Sequence, residues 1–430
     1  MTGKRILVLL GLMLAMTDYA SALPIFARRY NTSCTTCHAM IPKLNPFGIA
    51  FQNNGYRIPV NDEKLVKDLD VSLGAPAWKK LWPEAVWPGK IPNMPPIAFR
   101  AGTDLDIQPT QTPKLNFDFP DYLSLYFAGP AGDTVSFFGD LFLLGSTNSL
   151  FIDRAYGQFR LVPEKPGNNL LVLKVGRIDM RAEPFSSTYR KVTAQSYNVS
   201  TFRPISDVSA LGDHDAGFEV WGAATGPDNR GGVAYAAGMV QGTEGKPATN
   251  NAKDYYWNIS YKFGGMGVVG SRQQADSPPS SEGYSEKSIE IGTFGYRGQD
   301  VTKLTGQPLQ DLITRNGLKF DAYYKHLNLY GAVVTGQDTV ENTVPQLVQS
   351  SAFFTEADYM LLPWVMPVIR FEKTNYSNAR NVDLLLPSLN FAIRANIRLG
   401  IESRFFNRLS STGYARTGTN LSLVRLDFAF

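Results

Sequence analysis

From residue 97 to the end, apolar and polar side chains alternate in short segments separated by Gly, Pro, Asn and Asp. In 254–263, Tyr255, Trp257, Ile259, Tyr261 and Phe263 fall on one face, and Asp254, Asn258, Ser260 and Lys262 on the other. In 316–326, Leu318, Phe320, Ala322 and Tyr324 oppose Lys319, Asp321 and Lys325. In 396–406, Ile397, Leu399, Ile401 and Phe405 oppose Arg398, Glu402 and Arg404. A period of two is the signature of a strand. A single such strand suits any half-buried sheet. A dozen or more, about ten residues long, with charge on one face and aromatics on the other, predict an all-β transmembrane barrel.

The pattern places strands near 97–107, 117–127, 133–143, 151–162, 169–178, 214–224, 231–241 and 254–263, continuing near 287–297, 316–325, 328–338, 350–361, 366–376, 384–394, 396–406 and 420–430. That is 16 antiparallel strands, an even number as bacterial barrels require. With both termini periplasmic, the long stretches 179–213, 298–315, 339–349 and 407–419 fall on the external side. The connections 129–133, 225–230 and 394–395 become periplasmic turns, and 264–286 a long periplasmic connection. Counting 266–274 as a further strand would give 17 and reverse every later loop, so it is read as connection. In the last strand, Val424, Leu426, Phe428 and the terminal Phe430 oppose Arg425 and Asp427, the ending typical of outer-membrane barrels.

The first 96 residues break this pattern. Lys4 and Arg5, the apolar run Ile6–Met16 and the small residues Ala20-Ser21-Ala22 read as a secretory signal, residues 1–22, cleaved after Ala22. The apolar run spans 11 residues, too short to cross a bilayer, which needs about 20. Residues 23–59 form a small unit around Cys34-Thr35-Thr36-Cys37-His38. This C-x-x-C-H spacing is the attachment pattern of c-type haem: each thiol adds to one vinyl group, and the following histidine becomes the proximal iron ligand. The motif consumes both cysteines of the chain and one of its three histidines. A zinc site would need about four N or S ligands, and a thioredoxin-like site a βαβ context. A disulfide or redox dithiol is the rival reading. A unit of this size cannot bury an ordinary core, so covalent haem or an enclosing barrel wall must supply the rest. Residues 60–96 read as a connector with some helix. Its Trp78, Trp82 and Trp87 suit either packing on the haem unit or a membrane interface.

With these residues in view, Leu23–Tyr56 resembles the haem unit of the outer-membrane fused monohaem cytochrome c–porins of iron-oxidising bacteria. The likeness lies in P-x-F-A-R (Pro24, Phe26, Ala27, Arg28), C-x-x-C-H, P-x-L-x-x-F-G (Pro42, Leu44, Phe47, Gly48) and Gly55-Tyr56. Signal, haem unit and porin-like barrel over 97–430 match in order. The resemblance implies extracellular electron transfer across the outer membrane. Ferrous iron, Fe(II), is the implied donor and a periplasmic cytochrome or copper protein the acceptor.

A lone haem must bridge an apolar band about 25 Å tall, so the haem unit is expected to plug the barrel. Met94, in Pro92-Asn93-Met94-Pro95-Pro96, is the candidate distal ligand. Methionine ligation would raise the potential. Met40 is too near His38 in sequence to reach the opposite face, and His214 and His326 read as turn residues. The inward charges Asp140, Arg154, Lys319, Asp321, Arg370, Glu372, Arg398, Glu402 and Arg404 suit any polar lumen, some of them as partners for haem propionates. Asp213 and Asp215 are external acidic residues able to attract ferrous ions. The formal charge of +4 and the lack of a basic run speak against nucleic acid. A haem-bearing solute porin and a haem enzyme such as a peroxidase are the alternatives.

Overall fold

The structure, a computed structural model, describes residues 24–59, 62–66, 71–72, 80–81, 90–91, 93, 96–108, 112–132, 134–144, 150–162, 168–181, 192–201, 211–212, 214–243, 250–270, 285–302, 309–340, 345–377, 380–410 and 420–430. The expected signal segment, Met94 and Asp213 lie outside the described residues.

The N-terminal segment is built from short pieces. Helix α1 (Ile25–Arg29) is followed by the hairpin β1 (His38–Met40) and β2 (Lys43–Leu44), then by helix α2 (Pro46–Asn53). The connector contributes α3 (Asp62–Leu65) and the small pair β3 (Val71–Ser72) and β4 (Lys90–Ile91).

Sixteen strands then close into one antiparallel barrel, each overlapping a strand expected from the alternation. They are β5 (Ile97–Ile107), β6 (Leu115–Pro130), β7 (Val135–Leu144), β8 (Phe151–Arg160), β9 (Asn168–Asp179), β10 (His214–Thr225), β11 (Arg230–Val240) and β12 (Asp254–Met266). The second half comprises β13 (Glu286–Thr302), β14 (Leu309–Lys325), β15 (Leu327–Val340), β16 (Gln346–Tyr359), β17 (Val365–Tyr376), β18 (Arg380–Arg394), β19 (Ile397–Ser410) and β20 (Leu421–Ala429). Closure is by β20 on β5, with Leu426 opposite Thr103 and the Phe99 amide donating to the Phe430 carbonyl at 2.8 Å. The start of β5 and the end of β20 therefore share one end of the barrel.

The outer face carries the apolar half of each alternation: Tyr255, Trp257, Ile259, Tyr261 and Phe263 are all exposed. Charges point inward, and many are paired there. Lys174 meets Asp179 at 2.8 Å and Glu219 at 3.1 Å, and Arg370 meets Glu372 at 3.2 Å and Glu356 at 3.4 Å. Paired burial is what makes such charges tolerable away from water.

Part of the lumen is taken up by an apolar core. Among the described residues between β9 and β10, Tyr197, Val199 and Leu211 lie inside the barrel and pack with Tyr256, Phe294, Tyr330 and Phe354. Within it, helix α4 (Asn198–Thr201) is held by Asn198, whose amide donates to the Phe353 and Lys373 carbonyls at 3.1 and 3.0 Å.

Two connections differ from expectation. The stretches 298–315 and 339–349 are mostly strand, since β13 pairs with β14 out to Thr302–Leu309 and β15 with β16 out to Val340–Gln346. Hairpin tips that rise beyond the apolar girdle do not need an apolar outer face, so their alternation is weak in sequence. Residues 267–270 form a turn rather than a strand, and Val268 and Val269 pack against Trp221.

Candidate functional site

Residues 24–59 sit inside the barrel at its terminus-bearing end. On one side, the buried Lys43 ammonium donates to Asn328 Oδ1 at 2.7 Å and forms an ion pair with Asp358, and it lies 4.3 Å above the Tyr330 ring. On the other, Tyr56 shares a hydroxyl contact of 3.1 Å with Tyr156 and stacks on Phe138 at 6.1 Å. A third side is fixed by Asn53, whose side chain donates to the Val268 carbonyl at 2.9 Å and whose own carbonyl accepts from Asn169 at 2.8 Å. The segment is a plug held by side chains from widely separated strands.

The local sequence explains how the plug presents its chemistry. Cys34–Thr36 forms one tight turn capped by Ser33, and the Cys37 amide donates back to the Cys34 carbonyl at 3.2 Å. That turn brings both free thiols to one lip. Asn45 then locks the loop to α2. Its amide donates to the Cys37 carbonyl at 2.9 Å, and its side chain donates to the Thr36 and Thr35 carbonyls at 3.1 and 3.3 Å. Its Oδ1 accepts from the Gly48 amide at 2.9 Å, the N-cap role that Asn fills well, with Pro46 at the first helical position. Gly48 lies so close that a Cβ there would meet the Cys37 carbonyl oxygen at 2.1 Å.

His38 begins β1, and its Nδ1 lies 3.0 Å from the Pro42 carbonyl oxygen. A carbonyl only accepts, so Nδ1 carries the proton and Nε2 keeps its lone pair. Burial pushes the imidazole pKa down to about 4, so the ring is neutral at physiological pH. The same loss of solvent pushes the Cys37 thiol up to about 12.

Cys34, Cys37 and His38 line one cavity with about 1430 Å³ of empty space, counting solvent at its mouth. The plug contributes Phe26, Phe47, Phe51 and Tyr56 to its lining. Phe26 stacks on Tyr56 at 5.3 Å and meets Phe51 edge-on at 5.0 Å. The barrel closes the far side with Phe99, Arg100, Tyr126, Phe138 and Arg154. Two thiols, one oriented imidazole and an apolar slot can hold a large, mostly apolar cofactor at three points. Among the described residues, no group of three or more His, Cys, Asp and Glu is arranged for a bare metal ion.

Other residues singled out from sequence are not brought here. Met40 is buried against Val192, Met360, Met366 and Val368. His214 heads β10 and lies 2.6 Å from Asp153 Oδ1 through its Nε2. His326 occupies the turn between β14 and β15. Asp215 is a loop anchor rather than an ion attractor: buried, it accepts from the Ala216, Gly242 and Thr243 amides at 2.7, 2.7 and 2.9 Å. Of the inward charges, Arg154 reaches the cavity, paired through Nε with Asp140 at 3.2 Å. Arg100 and Asn45 were missed. Asn45 carries a readable signal, Asn before Pro at a helix start. Arg100 carries none.

No protein-family model and no curated protein matches the chain. Among solved structures, the anion-selective porin from Comamonas acidovorans aligns at 9% identity over 78% of this chain and 98% of its own, with a TM-score of 0.55. OmpT, an outer membrane protein of Vibrio cholerae, aligns in its in-vitro folded form at 10% identity over 84% of this chain and 99% of its own, with a TM-score of 0.53. At such identities the likeness concerns architecture. The chain is a closed 16-stranded antiparallel barrel with the fold of outer-membrane porins.

Proposed function

We propose that this protein is an outer-membrane cytochrome–porin that carries electrons across the outer membrane. In this reading it takes them from extracellular Fe(II) and delivers them to a periplasmic cytochrome or copper protein, with both barrel termini periplasmic. The observation that carries it is the Cys34-Thr35-Thr36-Cys37-His38 loop seated inside the barrel against an apolar cavity, with the His38 ring turned by the Pro42 carbonyl. Cys34 and Cys37 would tether one haem c through thioethers, His38 Nε2 would be an iron ligand, and Met94 is the candidate for a second one. When bound, the haem supplies a one-electron couple. The protein's part is to fix the imidazole tautomer, exclude water with Phe26, Phe47 and Phe51, and hold the site within the wall. A carbonyl bonded to the non-ligating nitrogen of a histidine is the usual device for orienting a metal ligand.

The porin fold also suits solute passage, but the plug and the inturned α4 segment occupy part of the lumen with packed side chains, which favours the electron-transfer reading over a diffusion pore. The test is stopped-flow reduction of the purified protein by ferrous iron, with a spectroelectrochemical midpoint. Rapid reduction at a potential above that of the ferrous couple supports an iron oxidoreductase. A low potential without reduction by iron would remove iron as donor.

A further inference from the structure

The cavity beside the two thiols is mostly apolar. Among the described residues, its only charged lining side chains are Arg100 and Arg154, and both come from the barrel wall rather than from the plug. Arg154 is buried and spoken for: its Nε meets Asp140 at 3.2 Å and its guanidinium lies 4.7 Å over the Phe138 ring. Arg100 is differently placed. It stands on β5, at the seam where β20 closes the barrel, and its side chain is 23% exposed. Its nearest carboxylate, Asp427, is 3.5 Å away and already accepts from Arg398 Nε at 3.0 Å and from the Tyr122 hydroxyl. Arg425, further along β20, is engaged by Asp104 and Asp121 at 2.6 and 2.7 Å. Arg100, which also lies 5.0 Å over the Tyr122 ring, is thus a cation whose counter-charge is shared with another arginine, on the barrel side of a mostly apolar slot.

A slot of this kind selects a flat apolar body that carries carboxylates on one edge. We propose that Arg100 is the anion clamp of the cavity, binding a carboxylate of the porphyrin, so that the cofactor site is completed only where plug and wall meet. This rests on the haem reading above and goes beyond it: the thiols and imidazole belong to the plug, whereas the clamp belongs to the closing seam. A planar guanidinium facing a carboxylate can donate two parallel hydrogen bonds, which gives orientation as well as attraction. Cofactor occupancy and barrel closure then support each other, because the bound carboxylate supplies the counter-charge that Asp427 divides between Arg398 and Arg100.

The test uses the full-length chain carrying Cys34→Ser and Cys37→Ser, so that binding is non-covalent and read by fluorescence. Protoporphyrin IX, a dicarboxylate, is titrated beside its dimethyl ester, with Arg100 intact, as Arg100→Gln and as Arg100→Lys. Comparing variants for each probe cancels partitioning into detergent. Arg100→Gln is expected to weaken the diacid by about tenfold or more while leaving the ester unchanged, as loss of a charge-assisted hydrogen bond predicts. Arg100→Lys, which keeps the charge without the fork, should fall between. Equal loss for both probes, or no loss for either, overturns the clamp but leaves the haem reading standing. If neither probe binds with Arg100 intact, the clamp falls, while haem staining of the wild-type chain decides the haem reading separately. Should Arg100→Gln fail to form a barrel, Arg100→Lys decides: diacid affinity equal to the parent would overturn bidentate clamping.

Discussion

The plug meets two opposite walls in opposite ways. Toward β15 and β16 it is bolted: Lys43 is fully buried, bonded to Asn328 and Asp358 and covered by Tyr330. Toward β5–β8 it is held at one corner, where Tyr56 meets the Tyr156 hydroxyl and stacks on Phe138, and it otherwise leaves an apolar cavity bounded by the thiols on one side and by Arg100, Tyr126 and Phe138 on the other. One wall is packed shut against the plug, and the other grips it while leaving room. A small segment that cannot bury its own core can be held rigidly and still keep a large space beside two reactive thiols, because the barrel provides both the grip and the lid.

The largest effect should come from the open side. Cys34→Ser with Cys37→Ser, or His38→Ala, is expected to abolish covalent haem and its visible absorption while the barrel still forms. Haem staining on denaturing gels, beside heat-modifiable mobility for the barrel, reads both. A variant that keeps thioether-bound haem without the two thiols is chemically impossible, so the informative failure is a wild-type protein that never carries it. On the bolted side, Lys43→Met strands the buried Asp358 carboxylate without its cation. Breaking one half of a buried pair costs about 3–5 kcal/mol, visible as protease access to the plug. Lys43→Met with Asp358→Leu should recover much of that loss, since replacing both partners by apolar groups is often neutral. If the double variant is as labile as the single one, the plug is held by something other than this pair.

The two walls also differ in how far they could be foreseen. All 16 strands were legible, because outward Tyr255, Trp257 and Ile259 must alternate with inward Asn258 and Ser260 in a single-walled barrel. Cys34, Cys37 and His38, which the C-x-x-C-H spacing singled out together, line one cavity. The bolt was not legible: Lys43 and Asp358 are 315 residues apart, and nothing local marks either as a partner. The place of Arg100 on the cavity was hidden for the same reason, since that cavity forms only where the plug folds across to the wall. The apolar core around Phe294, Tyr330 and Phe354 was also missed. These are inward aromatics that a polar-lumen rule assigns no partner, and their partner is the inturned loop carrying Tyr197.

Smaller effects sharpen the comparison at the lip of the cavity. Gly48→Ala places a methyl 2.1 Å from the Cys37 carbonyl oxygen, a backbone atom held by Asn45. Overpacking of this kind costs about 1–3 kcal/mol. It should tilt the His38 loop and shift the haem absorption band while leaving the Lys43 side intact. An unchanged spectrum would mean that α2 can slide without disturbing the motif.

Asn45 isolates the last component. Asn45→Ala removes an N-cap worth about 1 kcal/mol, together with two donors to the Thr35 and Thr36 carbonyls. Asn45→Asp keeps the acceptor for the Gly48 amide but loses both donors. If capping is the main contribution, Asn45→Asp should behave as wild type in thermal stability and Asn45→Ala should not. If tying the thiol turn matters more, both variants should lower haem attachment to a similar degree during maturation. The turn must hold two thiols toward one slot before any covalent bond is made, and the Asn45 side chain is what joins that turn to α2. Attachment yield should therefore fall in both variants, with thermal stability separating them.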